Sequence, residues 1–366
     1  MFKLSAKVKQ QINSSFYKEV SSRYHTKRKY TCLYPNCSNL AVHSHSISKE
    51  TSLRPISTDG NLLTIQPKRD DTKDLRDIEI SSEGINNATT FKGFCSTHEK
   101  IFHSIDTRGI STLKDIFLQC YRSISKDSFT RNLLTQSELK SQKNNIVFNP
   151  NIESDKVINS SKLTESLIDL IENGKNLHQE IDIPPSATMV ISLTEACQAN
   201  YQLLYRKLDV AYPVAIEKRL TIRLLDKASD SYITVIPESH QTHIIVISHE
   251  SQIDLFAAKL SSPIDTLCFV EWAMIHDAEF WIAPDVVKSW SEEKANHIVR
   301  DYQFFYEHST LGEYDTSIFD DLRVKLCEDL SEDRKNKELK KINHLTKRKP
   351  LNIREAELEK VLNPFN

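Results

Sequence analysis

Glycine is scarce in this chain, with six residues in 366. None lies in a G-x-G-x-x-G or G-x4-G-K arrangement, so a phosphate cradle made from glycine backbone is not expected, and the kinase, GTPase and dinucleotide-binding readings fall away. Long apolar runs are missing too. No stretch of eighteen apolar residues occurs, and the opening Met1 to Lys9 has no apolar core of the kind a secretory signal needs. Both absences predict a cytoplasmic protein that does not enter a membrane. Neither charge dominates: 48 basic against 50 acidic residues give a net charge of -2 and no global attraction to polyanions. Cysteine is present in an odd number, seven. Cys120, Cys197, Cys268 and Cys327 stand alone within apolar-periodic stretches, which suits buried free thiols in a reducing compartment and not a disulfide framework.

A chain of this length exceeds the usual single core and predicts two or three domains. Five segments can be read: a basic arm over 1–31, a cysteine- and histidine-rich region over 32–106, a helical connector over 107–180, an α+β domain over 181–333 and a basic helical tail over 334–366. The arm holds eight Lys or Arg against one acid, Glu19, with Phe16, Tyr17, Tyr24 and Tyr30 interspersed. Lys18, Arg23, Lys27, Arg28 and Lys29 are its candidate nucleic-acid contacts, the cations displacing counterions and the rings stacking on bases. A solvated, partly helical arm is the alternative. The tail invites the same pair of readings.

Cys32-x4-Cys37 and Cys95-x2-His98 are two short-spaced pairs of soft ligands far apart in sequence. That is what a closed, structural, tetrahedral zinc shell needs, each pair sitting on one turn. His43 and His45, between the pairs, are left over for chemistry. From Ile65 to Thr90 the composition is charged and weakly periodic, which reads as a surface insertion. Cys95 opens a short helix to Ile105 on which Glu99 and His103 share a face.

Further on, Leu113, Ile116, Phe117, Cys120, Tyr121 and Ile124 mark a helix started by a Thr112/Asp115 capping box. Ser141 to Pro150 reads as a linker. Leu163 to Ile171 marks another helix, ending at a left-handed Gly174. A strand over Thr188 to Leu193 leads to a helix on which Cys197, Tyr201, Leu204 and Leu208 recur at steps of four, three and four. Three strands follow, Arg219 to Leu225, Tyr232 to Ile236 and His243 to Ser248, close enough for antiparallel hairpins. The first alternates as if one face were wet, and continuously apolar Ile244 to Ile247 makes the last one central. Ser289 to Glu292 reads as a capping box before a final amphipathic helix.

Residues 32–103 resemble the HNH endonuclease motif on its ββα-metal, zinc-braced scaffold. The resemblance rests on the Cys32/Cys37 pair, on His45-Ser-Ile-Ser and on the helix opened by Cys95-x2-His98. It implies a zinc-braced ββα-type module at the N-terminus; with the helical connector and the C-terminal α+β domain, whose strand spacing gives a small, mainly antiparallel sheet, the chain as a whole reads as α+β. The resemblance also implies that His45 is the general base and that a catalytic Mg2+ or Mn2+ stabilises the departing oxygen. The sequence departs from the motif at two places. Ser44 stands where a metal-binding His or Asp is usual, and Glu99 stands where the metal-binding His is usual. Glu99 and His103, with His43, are therefore the candidate ligands of that second metal, and Asn61 is the candidate orienting Asn. For His43 a surface or hydrogen-bonded histidine is the plainer reading, and His45 could instead be the fourth zinc ligand in place of His98, which would leave no base.

All three Trp fall within Glu271 to Trp290. Trp272, His276, Glu279 and Trp281 form a candidate second site, His276 and Glu279 at helical i, i+3 spacing, against a core-facing aromatic helix end as the plainer reading. The leading expectation is a metal-dependent endonuclease of nucleic acid, DNA before RNA, of a kind that suits bacterial antiviral defence, with a C-terminal sensor domain able to take a protein partner. The competing expectation is a non-catalytic zinc adaptor that binds nucleic acid or protein.

Overall fold

A computed structural model describes residues 29–67, 78–143, 160–184, 187–193, 201–224, 227–276, 278–308, 312–342 and 344–345. Its strands in chain order are β1 (His43–His45), β2 (Asn61–Pro67), β3 (Ile78–Gly84), β4 (Thr90–Lys92), β5 (Thr188–Ser192), β6 (Tyr201–Leu208), β7 (Val214–Leu224), β8 (Lys227–Pro237), β9 (Thr242–His249) and β10 (Glu279–Ile282). A 3-10 turn, His98–Phe102, runs into α1 (His103–Arg108). The other main helices are α2 (Leu113–Lys143), α3 (Ser160–Asn173), α4 (Glu250–Lys259), α5 (Pro263–Ile275), α6 (Pro284–Lys288), α7 (Glu292–His308), α8 (Asp320–Leu326) and α9 (Glu332–Lys340). No helix among the described residues is long and apolar enough to cross a membrane.

The fold is α+β on antiparallel pairing throughout. β1 pairs with β4, while the other eight strands form one sheet in the order β3-β2-β10-β7-β8-β9-β6-β5. That sheet is not small, and it is shared: the β2–β3 hairpin, from within 32–106, joins it through β10, where Leu63 meets Ile282. β9 shows why the strand is continuously apolar. Ile245 and Ile247 face a core built with α2, α3 and the region around β1 and β4, whereas Ile244 and Val246 face a core built with α4, α5 and α7. An interior strand covered on both faces has no wet side to mark with polar residues.

The same burial accounts for a correction at Tyr201 to Leu208, which is strand β6 and not a helix. Tyr201 and Tyr205 lie in one core while Leu204 and Leu208 lie in the other, so steps of four keep the face and the step of three changes it. Cys197 lies outside the described residues. Ile65 to Thr90 is corrected likewise. Ile65 is buried and Ile78 to Ile80 are strand, the charged run being confined to 68–77, which lie outside the described residues. On β7 the expected alternation is seen at Leu220, buried, and Thr221, exposed, while Arg219 on the same face is only 10% exposed beneath α2.

Helix starts are mostly as expected. Asp115 accepts from the Thr112 N–H at 2.9 Å and its own N–H donates to Thr112 Oγ1 at 3.3 Å, a reciprocal cap on α2. This helix runs to Lys143, into the segment read as a linker. Gly174 ends α3 without a left-handed backbone; a Cβ there would lie 2.4 Å from the Leu170 carbonyl oxygen, so close approach explains the glycine. α7 is capped by Ser291, which accepts from the Lys294 N–H at 3.1 Å, and Ser289 bonds Val286 O instead. The start of the tail is docked rather than free: Arg334 pairs with Asp265, and Glu338 pairs with Arg323.

Beneath α8, fully buried Arg323 binds Glu271 and Glu338, and Glu271 also accepts from the Ile318 and Phe319 N–H groups. Removing one partner of such a set leaves a buried charge uncompensated. Glu271→Ala is expected to lower unfolding stability by about 3–5 kcal/mol in urea titration, against less than about 0.5 kcal/mol for Leu255→Ala at an exposed position. Equal small effects would remove the cluster from the account of the fold.

Candidate metal centre and its surroundings

The two ligand pairs converge. Cys32 and Cys37 lie in the turn before β1, Cys95 follows β4, and His98 opens the 3-10 turn, so pairing β1 with β4 brings the four together. All four ligand atoms lie within 4.8 Å of one another. Cys37 Sγ and Cys95 Sγ are 3.9 Å apart, and His98 Nδ1 is 3.4 Å from both Cys32 Sγ and Cys95 Sγ. Ligands ~2.3 Å from a tetrahedral ion sit about 3.8 Å from one another, so the cluster could hold a metal ion such as zinc. The surroundings favour thiolate at one ligand: the backbone N–H groups of His98 and Thr97 pull the Cys95 thiol down, while burial pushes Cys32 up. Tyr34 stacks on His98 with ring centroids 3.9 Å apart and donates its hydroxyl to Glu172 of α3.

His45 is outside this shell. Its Nε2 is 3.1 Å from the Ile85 carbonyl, which can only accept, so the proton is on Nε2 and the neutral ring keeps its lone pair on Nδ1. Burial lowers the pKa of His45, and the charges of Arg122 and Lys49 lower it further, so the ring is neutral at physiological pH. Ser44, buried, donates to Glu99 Oε2 at 2.6 Å and accepts from the Phe94 N–H. Glu99 Oε1 accepts from Arg122 at 2.8 Å, and the same guanidinium binds Asp106 at 2.7 Å with the Phe102 ring beneath it. Both carboxylate oxygens of Glu99 are thus engaged.

The other expected ligands are not gathered here. His43 and His103 are exposed, and among the described residues the Cys32, Cys37, Cys95 and His98 group is the one set of three or more ligand-type side chains in close array. Asn61 is exposed at the start of β2, its amide on Asp59 O. It nonetheless borders the His45 region, because Gly60 O accepts the Ile85 N–H in the same turn. Of the arm residues, Lys29 is described and exposed, and Lys18, Arg23, Lys27 and Arg28 lie outside the described residues.

The tryptophan cluster divides. α5 ends at Ile275, so His276 and Glu279 share no helical face. Trp272 stacks on His276 and Phe269 in the core of one sheet face, whereas Trp281 packs in the opposite core, with the Lys126 ammonium 4.8 Å from its ring centroid. No family model, curated protein or solved structure matches this chain. Its site must be read from its own geometry.

Two groups in that geometry had no signal in the sequence. Arg122 is 2% exposed although it lies off the apolar stripe of α2, and Lys126, one turn on, binds Glu217 of β7 and Glu279 of β10. Their partners are 16 to 153 positions away in sequence, beyond any local pattern.

His276 donates from Nδ1 to Trp272 O at 2.7 Å and accepts the Gly312 N–H on Nε2 at 2.9 Å. A second proton would face that N–H, and burial holds the ring pKa down to about 4. The unfolded chain takes up this proton near pH 6.5 and the folded one near 4, so stability is full above 6.5 and falls by roughly 3 kcal/mol as pH drops to 4. Asp127, pushed up to about 6 by burial, acts with the opposite sign in the same window. Comparing wild type with His276→Gln cancels its effect. The variant is expected to show a flatter fall in urea midpoint between pH 7 and 5, and parallel curves would refute the assignment.

Proposed function

We propose that the chain is a zinc-braced binding protein: the Cys32, Cys37, Cys95 and His98 shell holds a structural Zn2+, and the region it organises binds nucleic acid without cutting it. The observation that carries this reading is the engagement of Glu99. A catalytic divalent ion at Glu99 would have to displace a buried guanidinium that also holds Asp106 and a serine hydroxyl donated at 2.6 Å. A closed shell of three sulfurs and one imidazole nitrogen supports folding and offers no open position to substrate. The bound zinc supplies a fixed crossing point for the turn, β4 and the 3-10 turn, and no step of chemistry is assigned to it. The nucleic-acid contact rests on the basic arm, of which Lys29 is exposed.

A second reading is supported by the tautomer of His45. With Nε2 on a carbonyl and Nδ1 unprotonated, this ring has the form a general base requires. On that reading the chain is a metal-dependent HNH-like endonuclease in genome defence, and Arg122 must leave Glu99 for Mg2+ or Mn2+ to enter.

The two readings separate in one set of assays on the purified full chain. The binding reading predicts one zinc per chain, retention of plasmid DNA in a gel that weakens as salt rises, and no cleavage of plasmid or structured RNA with Mg2+ or Mn2+. Cleavage lost by at least about 100-fold in His45→Ala, with zinc retained, would establish the nuclease instead. Zinc with neither DNA retention nor cleavage would move the partner to protein. Cys95→Ser is expected to lose the zinc and open 32–106 to limited proteolysis, whereas His103→Ala is expected to keep both zinc and protection.

A further inference from the structure

The metal-binding region and the sheet do not close on each other everywhere. β2 and β10 are paired at a single position, Leu63 with Ile282, and next to that pair lies a cavity of about 870 Å3, within the range of ligand sites. One wall is the sheet, with Gln66 of β2 and Glu83 of β3. The other is the β1–β4 pair, with the register partners His43 and Lys92. Phe91, Phe129 and Trp281 line the space between them.

This cavity holds polar groups that the protein itself leaves uncommitted. Among the described residues the Gln66 amide and the Lys92 ammonium make no hydrogen bond or ion pair, and both residues are half-buried with their polar ends open to solvent. Glu83 accepts the Trp281 indole N–H on Oε2 at 2.8 Å, and among the described residues no donor reaches its Oε1. Glu83 is the cross-strand partner of Leu62, which shares a face of β2 with Gln66, so Glu83 and Gln66 lie on one side of the sheet, roughly 13 Å apart along the strand. One ring cannot bridge them. A ligand laid along β2 can reach both. Lys126 and Glu279 also line the cavity and neutralise each other.

The two walls ask for different chemistry. Lys92 requires an anion, Glu83 requires a donor, and the Gln66 amide can pair with either a donor or an acceptor. A basic peptide would be repelled by Lys92, a sugar would leave it unpaired, and an acidic peptide would bring carboxylates to Glu83. A nucleotide carries the two functions at opposite ends, its phosphate for Lys92 and its base edge for the sheet wall. In a duplex the Watson–Crick edge is taken by the partner strand. We propose that this groove seats unpaired nucleotides, so that the nucleic acid bound by the chain is single-stranded. The inference rests on the nucleic-acid reading given above.

Fluorescence anisotropy of the full chain with labelled single-stranded DNA of about 12 nucleotides, and with the duplex of the same sequence, tests it. The single strand is expected to bind about tenfold more tightly. Lys92→Ala and Gln66→Ala stand on separate elements, so misfolding of one leaves the other to decide. Each should weaken the single strand about fivefold or more and leave the duplex unchanged. Lys92→Ala should also lower the slope of log affinity against log salt by about 0.7. The basic arm meets phosphates in either form, so duplex binding persists. Equal affinity for the two forms, or a preference that survives in either folded variant, overturns the groove and leaves nucleic-acid binding in place. No binding of either form removes the reading above and the groove with it.

Discussion

Two residues one turn apart on α2 tie the molecule together. Arg122 reaches the element that follows the ligand cysteines, through Glu99 and Asp106, and Lys126 reaches the sheet, through Glu217 and Glu279. An i, i+4 pair lies on one side of a helix, so a single helical edge fixes the metal-binding region against the sheet. Further contacts cross the same seam. Gln119 donates to Ser46 O and Ser46 donates to Glu217, so the strand leaving His45 is held by helix and sheet at once. Buried ion pairs add less stability than apolar packing would, but they tolerate only one register, and here they set how the two parts meet.

That constraint bears on the chemistry near His45. Glu99 and Ser44 face each other, as their positions beside the ligand pair require, yet the charge that neutralises Glu99 comes from the protein. A guanidinium held by two carboxylates and laid on Phe102 is a permanent cation with a packing role. A divalent ion would carry twice the charge, demand oxygen ligands and have to displace this guanidinium from Glu99 and Asp106. The orientation of His45 by Ile85 O costs nothing extra in this frame, because the turn carrying Ile85 is already fixed to Gly60.

The cluster of Cys32, Cys37, Cys95 and His98, which could hold a metal ion, was legible in the sequence because its two pairs are short-range patterns whose chemistry does not depend on what surrounds them. Strands β7, β8 and β9 were legible for a related reason, since alternation along β7 and the short β-branched runs of β8 and β9 are local patterns. β6 was not. An interior strand buried on both faces loses period two, and Tyr201, Leu204 and Leu208 then imitate a helical stripe. His276 and Glu279 were misplaced by the same reliance on spacing, the helix ending at Ile275 before the pattern was complete. Arg122, Lys126 and Arg219 gave no signal because a charged residue on a surface and one in a buried pair look identical until the partner is brought near.

Metal site and helical layer also meet at one aromatic ring. Tyr34, in the turn between Cys32 and Cys37, stacks on the ligand His98 and donates to Glu172 on α3. Burial, with Glu172 beside it, raises the Tyr34 pKa to about 12, so the phenol keeps its proton and remains the donor at physiological pH. α3 packs chiefly on α2, whose own position depends on Arg122 and Lys126. The ligand shell, α3, α2 and the sheet therefore close a loop of contacts. The turn between Cys32 and Cys37 is thus joined to α3 by a stacked ring and one hydrogen bond, and to α2 and the sheet through Arg122 and Ser46.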